Sequence, residues 1–185
     1  MMKIKTPLSD DVLKKLRTGD EVLLNGTIFT ARDAAHRLLF ELLRCNKKLP
    51  FDIKGAVIYY TGPTPRKSGL SPTGEQIIGS CGPTSSYRMD KYTPELVKHG
   101  LKATVGKGSR SKEVIAAMKK YKAVYFAATG GIGALISKCV KKSEIIAFPD
   151  LGCEAVCKLE VEDFPLIVIN DIYGNDLYDA VALTK

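Results

Sequence analysis

No stretch of this 185-residue chain is apolar for long enough to cross a membrane as a helix. The longest uncharged apolar run, Ala123 to Ile136, falls short of the roughly 18 residues a span needs, and Gly130-Gly131 interrupts it. Lys3 and Lys5 alternate with Ile4 and Thr6, so no apolar secretion signal follows the start, and the expected address is the cytoplasm. There is no C-x-x-C pair and no zinc-finger spacing among the five cysteines, Cys45, Cys81, Cys139, Cys153 and Cys157. An odd count at irregular spacing argues against a disulfide framework. Iron–sulfur clusters need three or four convergent thiolates, and no such set is visible by spacing. Runs of five or more Lys and Arg are absent, as are an RNA-recognition motif, a Walker loop, internal repeats and low-complexity segments.

What is present is an ordinary globular composition with a basic balance. The chain is 45% hydrophobic and 26% charged, which excludes disorder. Lys and Arg number 28 against 20 Asp and Glu, a formal charge of +8. The lysines come in dispersed pairs, Lys47-Lys48, Lys119-Lys120 and Lys141-Lys142, which suits helix ends better than a nucleic-acid track. Small anions or an acidic protein partner are the expected ligands.

The pattern along the chain predicts a single α/β domain with a mixed sheet. Ser9 before Val12, Leu13 and Leu16 reads as a short capped helix. Asn25-Gly26 between apolar runs predicts an N-terminal hairpin. A helix is expected over Arg32–Cys45 and a buried strand over Gly55–Tyr60. Thr61–Pro83, rich in glycine and proline, reads as a long irregular loop of the kind that carries function. Short helical patterns at Ser85–Asp90 and Pro94–His99 precede a β-α-β-α-β alternation. Its strands fall at Leu101–Val105, Ala123–Ala128 and Glu144–Phe148, and its helices at Ser111–Lys120 and Ile132–Val140. Strands at Ala155–Val161 and Leu166–Asn170 close the chain.

Three segments offer chemistry. In Gly82-Pro83-Thr84-Ser85-Ser86-Tyr87-Arg88, Thr84 or Ser85 could cap a following helix whose N–H groups face an anion, with Arg88 on the face of Thr84. Gly106-Lys107-Gly108-Ser109-Arg110-Ser111 follows a strand, where ligands of open α/β sheets bind, and its glycines leave the Lys107 ammonium unobstructed. In Thr30-Ala31-Arg32-Asp33-Ala34-Ala35-His36, an arginine at a helix start opposes the helix dipole, so another interaction must justify it. His36 alone would be read as a packed histidine. A rival signal is Ala128-Thr129-Gly130-Gly131-Ile132-Gly133, followed about twenty residues on by Asp150, an imperfect dinucleotide fingerprint that would make the chain a NAD-binding oxidoreductase.

In combination, Thr30-Ala-Arg32-Asp33-x-Ala-His36, Gly82-Pro83-Thr84-x-x-x-Arg88-Met89-Asp90, Gly106-Lys107-Gly-x-Arg110-Ser111 and Glu160-Val-Glu-Asp163-Phe-Pro165 resemble the β subunit of two-subunit iron–sulfur (class I) fumarate hydratases. The same region forms the C-terminal domain of single-chain class I fumarases, and tartrate dehydratase β subunits are close relatives. The resemblance implies one swivelling β/β/α domain over residues 1–185, packed on a cytoplasmic α subunit that carries a [4Fe–4S] cluster, in an α2β2 assembly. It implies reversible hydration of fumarate to L-malate, with Thr84 as catalytic base and Arg32, Arg88 and Lys107 binding substrate carboxylates. Asp33, His36, Gly82 and Ser85 would support them, and this chain would hold no metal. Guanidinium groups suit carboxylates because they bind them bidentately. A tartrate dehydratase β subunit is the alternative within the same family, and a non-catalytic docking subunit, its charge serving assembly alone, is another.

Overall fold

The computed structural model describes residues 1–70 and 76–182, with the backbone alone at 65–70, 76 and 77. In chain order the elements are β1 (Met2–Lys5), α1 (Asp10–Leu13), β2 (Glu21–Thr30), α2 (Asp33–Arg44), β3 (Val57–Tyr59), β4 (Thr64–Leu70) and β5 (Gln76–Ser80). There follow α3 (Thr93–Lys98), β6 (Ala103–Gly106), α4 (Lys112–Tyr121), β7 (Val124–Ala127), α5 (Gly133–Ile136), β8 (Val140–Ala147), β9 (Val156–Asn170) and α6 (Leu177–Ala182). Among the described residues no helix is long and apolar enough to cross a membrane.

The sheet is mixed, and its pairings close a ring. β2, β3, β6 and β7 lie side by side and parallel. β9 runs antiparallel to both β7 and β2, joining the two ends as β2-β3-β6-β7-β9. β1 flanks the first half of β2 in parallel, and β8 flanks the first half of β9 antiparallel. β4 and β5 form a separate two-stranded sheet.

Strand alternation then sorts side chains into two cores. Val57, Tyr59, Val105, Val124 and Phe126 point into the ring with Val22, Leu24, Ile28, Leu159 and Phe164. Their neighbours Ile58, Tyr60 and Tyr125 point outward, packing under the helices with Ala35, Leu39, Met89, Leu96, Val114 and Met118. Both faces of the parallel strands are covered, which is why Gly55–Tyr60 and Ala123–Ala128 read as unbroken apolar runs. The helices obey local rules. Ser111 caps α4 by accepting from Val114 N, Glu113 lies in its first turn, and Lys119 and Lys120 lie in its last.

Four expectations are corrected. Asn25-Gly26 does not turn a hairpin but sits inside β2, where the register with β9 shifts between Leu24 and Gly26. Gly26 has φ +96°, and a Cβ there would meet Thr6 Oγ1 at 2.5 Å. Asn25 exchanges side-chain hydrogen bonds with Asp163, fixing the bulge. The turn chemistry was real, and it serves a bulge. Second, the β-α-β-α-β alternation stops at β7, because β8 pairs only with β9, antiparallel. Third, the two closing strands are one, β9. Pro165 falls between the ladder to β8, which ends at Val161, and the ladder to β7, which begins at Ile167. A residue without an N–H costs neither ladder a bond there. Fourth, Thr61–Pro83 holds the β4–β5 pair, and its Pro72 and Gly74 lie outside the described residues.

His36 is fully buried in the outer core, edge-on to Tyr60 at 5.1 Å. Its Nδ1 lies 2.9 Å from Arg32 O, and a carbonyl only accepts, so Nδ1 carries the proton. Burial pulls its pKa down from 6.5 to about 4, against the raising effect of that hydrogen bond.

Two outcomes follow from these packing arguments. Gly26→Ala destabilises the protein by about 1–3 kcal/mol through backbone strain and the Thr6 clash, read as a fall in Tm of about 2–10 °C. The unfolded chain protonates His36 near its ordinary value of 6.5 while the folded chain resists until about pH 4. Stability from the neutral ring is therefore complete above pH 6.5 and is lost as pH falls towards 4. Denaturant unfolding at pH 7.5 and about pH 4.5 shows a loss of about 2–3 kcal/mol from this group, which His36→Gln, unable to take up the proton, does not share.

Candidate active site

Because β2, β3, β6 and β7 are parallel, the loops that leave their C-terminal ends gather at one end of the ring. They carry Arg32 and Asp33, Thr61 and Gly62, Lys107, and Gly130 respectively. A fifth segment, 81–88, is stitched among them. Thr84 N donates to Tyr60 O at 2.7 Å, Lys107 N donates to Thr84 O at 3.2 Å, and Ser86 N donates to Lys107 O at 2.9 Å. Thr61 Oγ1 donates to Gly82 O at 2.8 Å, and Cys81 O accepts from the Tyr59 hydroxyl. Gly106 permits this approach, since a Cβ there would collide with Ser86 Oγ and lie 3.2 Å from Thr84 O. Thr84 and Lys107 are thus held side by side by backbone bonds, with Thr84 half-buried and Lys107 exposed.

That stitching corrects the expected anion site at a helix start. Ser86–Met89 is a single 3-10 turn, Ser85 makes no side-chain cap, and the N–H groups of Thr84 and Ser86 are taken by backbone carbonyls. The i, i+4 relation between Thr84 and Arg88 does not apply, because Thr84 precedes the turn. Positive charge at this end comes from side chains instead.

Each of the two arginines is held by a carboxylate. Arg88 Nε donates to Asp33 Oδ1 at 3.0 Å and Nη2 lies 2.9 Å from Oδ2, which leaves the outward Nη1–Nη2 edge for another ligand. Arg32 Nη2 lies 3.4 Å from Glu154 Oε1, while Glu154 Oε2 accepts from Ala34 N at 2.9 Å in the first turn of α2. Here is the interaction that an arginine at a helix start demanded. Glu154 went unnoticed in the sequence, because 120 residues separate it from Ala34 and no local spacing links them. Lys107 has no carboxylate partner among the described residues, and its stem lies 3.8 Å from the Cβ position of Gly130. Arg110, from the same loop, is fully buried and spent on Asp90, Thr93, Thr104 and the Tyr60 hydroxyl, so it fixes the floor beneath the site. His36 lies behind Arg32, holding its carbonyl, and does not reach the surface.

The dinucleotide reading does not survive the fold. α5 spans only Gly133–Ile136, and the strand after it, β8, never pairs with β7, so no βαβ unit forms. Gly133 instead lets the chain pack on Gly82, whose N would lie 2.8 Å from a Cβ. Cys153 and Cys157 share the wall of a cleft of about 280 Å³ with Pro63. Among the described residues no group of three or more His, Cys, Asp or Glu side chains is placed to hold a metal ion.

Comparison with known proteins places the chain in a family. Over 173 residues the chain is 44% identical to the putative L(+)-tartrate dehydratase subunit beta of Methanocaldococcus jannaschii, covering 91% of this chain and 87% of that protein. It is 41% identical over 168 residues to fumarate hydratase 2 of Leishmania major and 39% identical over 164 residues to the aerobic class I fumarate hydratase of Escherichia coli K12. Those matches cover 90% and 88% of this chain but only 28% and 29% of the relatives, so the chain spans under a third of either fumarate hydratase. A family model described as Fumarase C-terminus matches residues 1–181, and the chain belongs to that family.

Proposed function

We propose that this chain is the β subunit of an iron–sulfur-dependent hydro-lyase that interconverts fumarate and L-malate, its active site shared with a cluster-bearing α subunit in the cytoplasm. The observation that carries the reading is the gathering of Arg32, Arg88, Lys107 and Thr84 on loops at one end of a parallel strand set. A dicarboxylate brings two negative charges. Arg88, oriented by Asp33, offers a free guanidinium edge to one carboxylate, and Arg32 offers the same chemistry on the neighbouring loop. Lys107 adds a movable charge that stabilises negative charge developing on a carboxylate as the adjacent C–H loses its proton.

In this reading Thr84 receives that proton. An alcohol is a weak base at neutral pH, and adjacent cations favour its ionised form. The thiols of this chain do not fit a [4Fe–4S] cluster, because no three ligands converge among the described residues. The cluster is therefore assigned to the partner, and no step on this chain runs through it. The relative named as a subunit beta, matched over 87% of its length, supports a two-chain enzyme. That relative is also named for tartrate, which makes a tartrate dehydratase β subunit the second reading. L-malate and tartrate share the dicarboxylate frame that the arginines would bind.

Co-expression with the proposed cluster-bearing α subunit tests the proposal. The complex hydrates fumarate, neither chain does so alone, and parallel assays with L-malate and L(+)-tartrate decide between the two substrates. An isolated chain that hydrates fumarate unaided contradicts the reading. Within the active complex, Arg88→Ala and Lys107→Ala each lower kcat/KM by about 10²–10³-fold without changing the circular dichroism spectrum. Thr84→Ala lowers kcat by about 10²–10⁴-fold with KM little changed, and a wild-type kcat in that variant removes the base assignment.

A further inference from the structure

Arg32 occupies the N-cap position of α2 with no capping hydrogen bond of its own. Its Nε is buried without a hydrogen-bond partner among the described residues. A Cβ on Gly62 would lie 2.9 Å from its Nη1 and 2.9 Å from Cys153 O, so the side chain is wedged between the loop after β3 and the 3-10 segment Pro149–Glu154. That segment is bent into place by left-handed backbone at Phe148 (φ +55°) and Gly152 (φ +58°). Its last residue, Glu154, divides its carboxylate between two tasks. Oε2 caps Ala34 N, as an N-cap side chain would, and Oε1 faces Arg32 Nη2 at 3.4 Å. Both groups are about three-quarters buried, with side-chain exposures of 24% and 23%, so solvent competes weakly for the pair.

We infer that Glu154 is a positioning residue: delivered from the far end of the sequence, its carboxylate sets the direction in which Arg32 presents its remaining N–H donors to a substrate carboxylate. Arg32 and Arg88 are then oriented alike, each by its own acid, Glu154 and Asp33. Neutralising each guanidinium leaves Lys107 as the uncompensated cation of the three, among the described residues. The inference rests on the substrate-binding role proposed for Arg32.

The two tasks of Glu154 can be separated in the assembled enzyme. Glu154→Gln retains an oxygen to accept from Ala34 N but loses the charge that directs Arg32. It lowers kcat/KM by about 10–100-fold, mostly through KM, while the Tm of the chain stays near wild type. Glu154→Ala lowers both. In an Arg32→Ala background Glu154→Gln costs nothing further, because a residue that acts through another has no effect once that other is gone. Wild-type kinetics in Glu154→Gln, or losses that multiply in full with those of Arg32→Ala, overturn the positioning role while the site assignment stands. A wild-type complex inactive on fumarate, L-malate and tartrate alike, or an Arg32→Ala variant with unchanged kinetics, overturns the site assignment and this inference with it.

Discussion

Because β9 pairs with β2 on one edge and with β8 and then β7 on the other, the sheet closes on itself, and the positions of all the candidate site residues follow from that closure. An open sheet of β2, β3, β6 and β7 would splay its loops along a line. Joined into a ring, the same parallel strands deliver the loops that follow them to one rim, where segment 81–88 can bond to two of them at once. The cost of closure falls at identifiable residues. Gly26 and Asp163 take positive φ where β2 and β9 are out of step, and Asn25 ties them together through its side chain. Gly106 gives up a side chain so that Thr84 and Ser86 can lie against β6. The strain and the glycines sit where strands must cross closely, as expected for a sheet curved into a ring.

Electrostatics at the rim are organised by the same principle of local pairing. Three guanidinium groups near it each meet a carboxylate, Arg110 with Asp90, Arg88 with Asp33 and Arg32 with Glu154. They are not equivalent. Arg110 has no exposed side-chain surface and its donors are spread over Asp90, Thr93, Thr104 and Tyr60, so removing any one partner would strand buried charge. Arg88 and Arg32 keep donors that their acids do not use, which is what a ligand-binding arginine needs. Formal charge alone cannot tell these cases apart. The surplus of +8 says that anions are favoured, and only the partner of each side chain says which cations are free to meet one.

How much of this was legible in the sequence depended on the range of the cause. The buried strands, α2 and α4 were readable from apolar spacing and from a cap such as Ser111, because those causes lie within a few residues of their effects. Arg32 was legible as a residue in need of an explanation, since it opposed a local rule. Its explanation, Glu154, was not legible, since every element from α2 to β8 intervenes before it arrives. Asn25-Gly26 predicts a hairpin and forms a bulge, because both ask for a positive φ such as that of Gly26 and differ only in what lies across from it. The helix expected over Ile132–Val140 stops early because Val140 is drawn into pairing with Val161, a tertiary preference that no local propensity records.

A site built in this way has a consequence for specificity under the proposed reading. Arginines read carboxylate geometry, and fumarate, L-malate and tartrate all present two carboxylates on a four-carbon frame. The residues that bind most strongly on this chain therefore discriminate least among those acids. Discrimination requires a group that meets the additional hydroxyl of tartrate, and a buried polar partner left unpaired by the wrong acid is the effective way to reject it. Arg110, Thr93 and Thr104 are already committed to one another and cannot serve. On the proposed reading, the arginines of this chain fix where the carboxylates sit, and a separate group that meets the hydroxyl decides which acid is turned over.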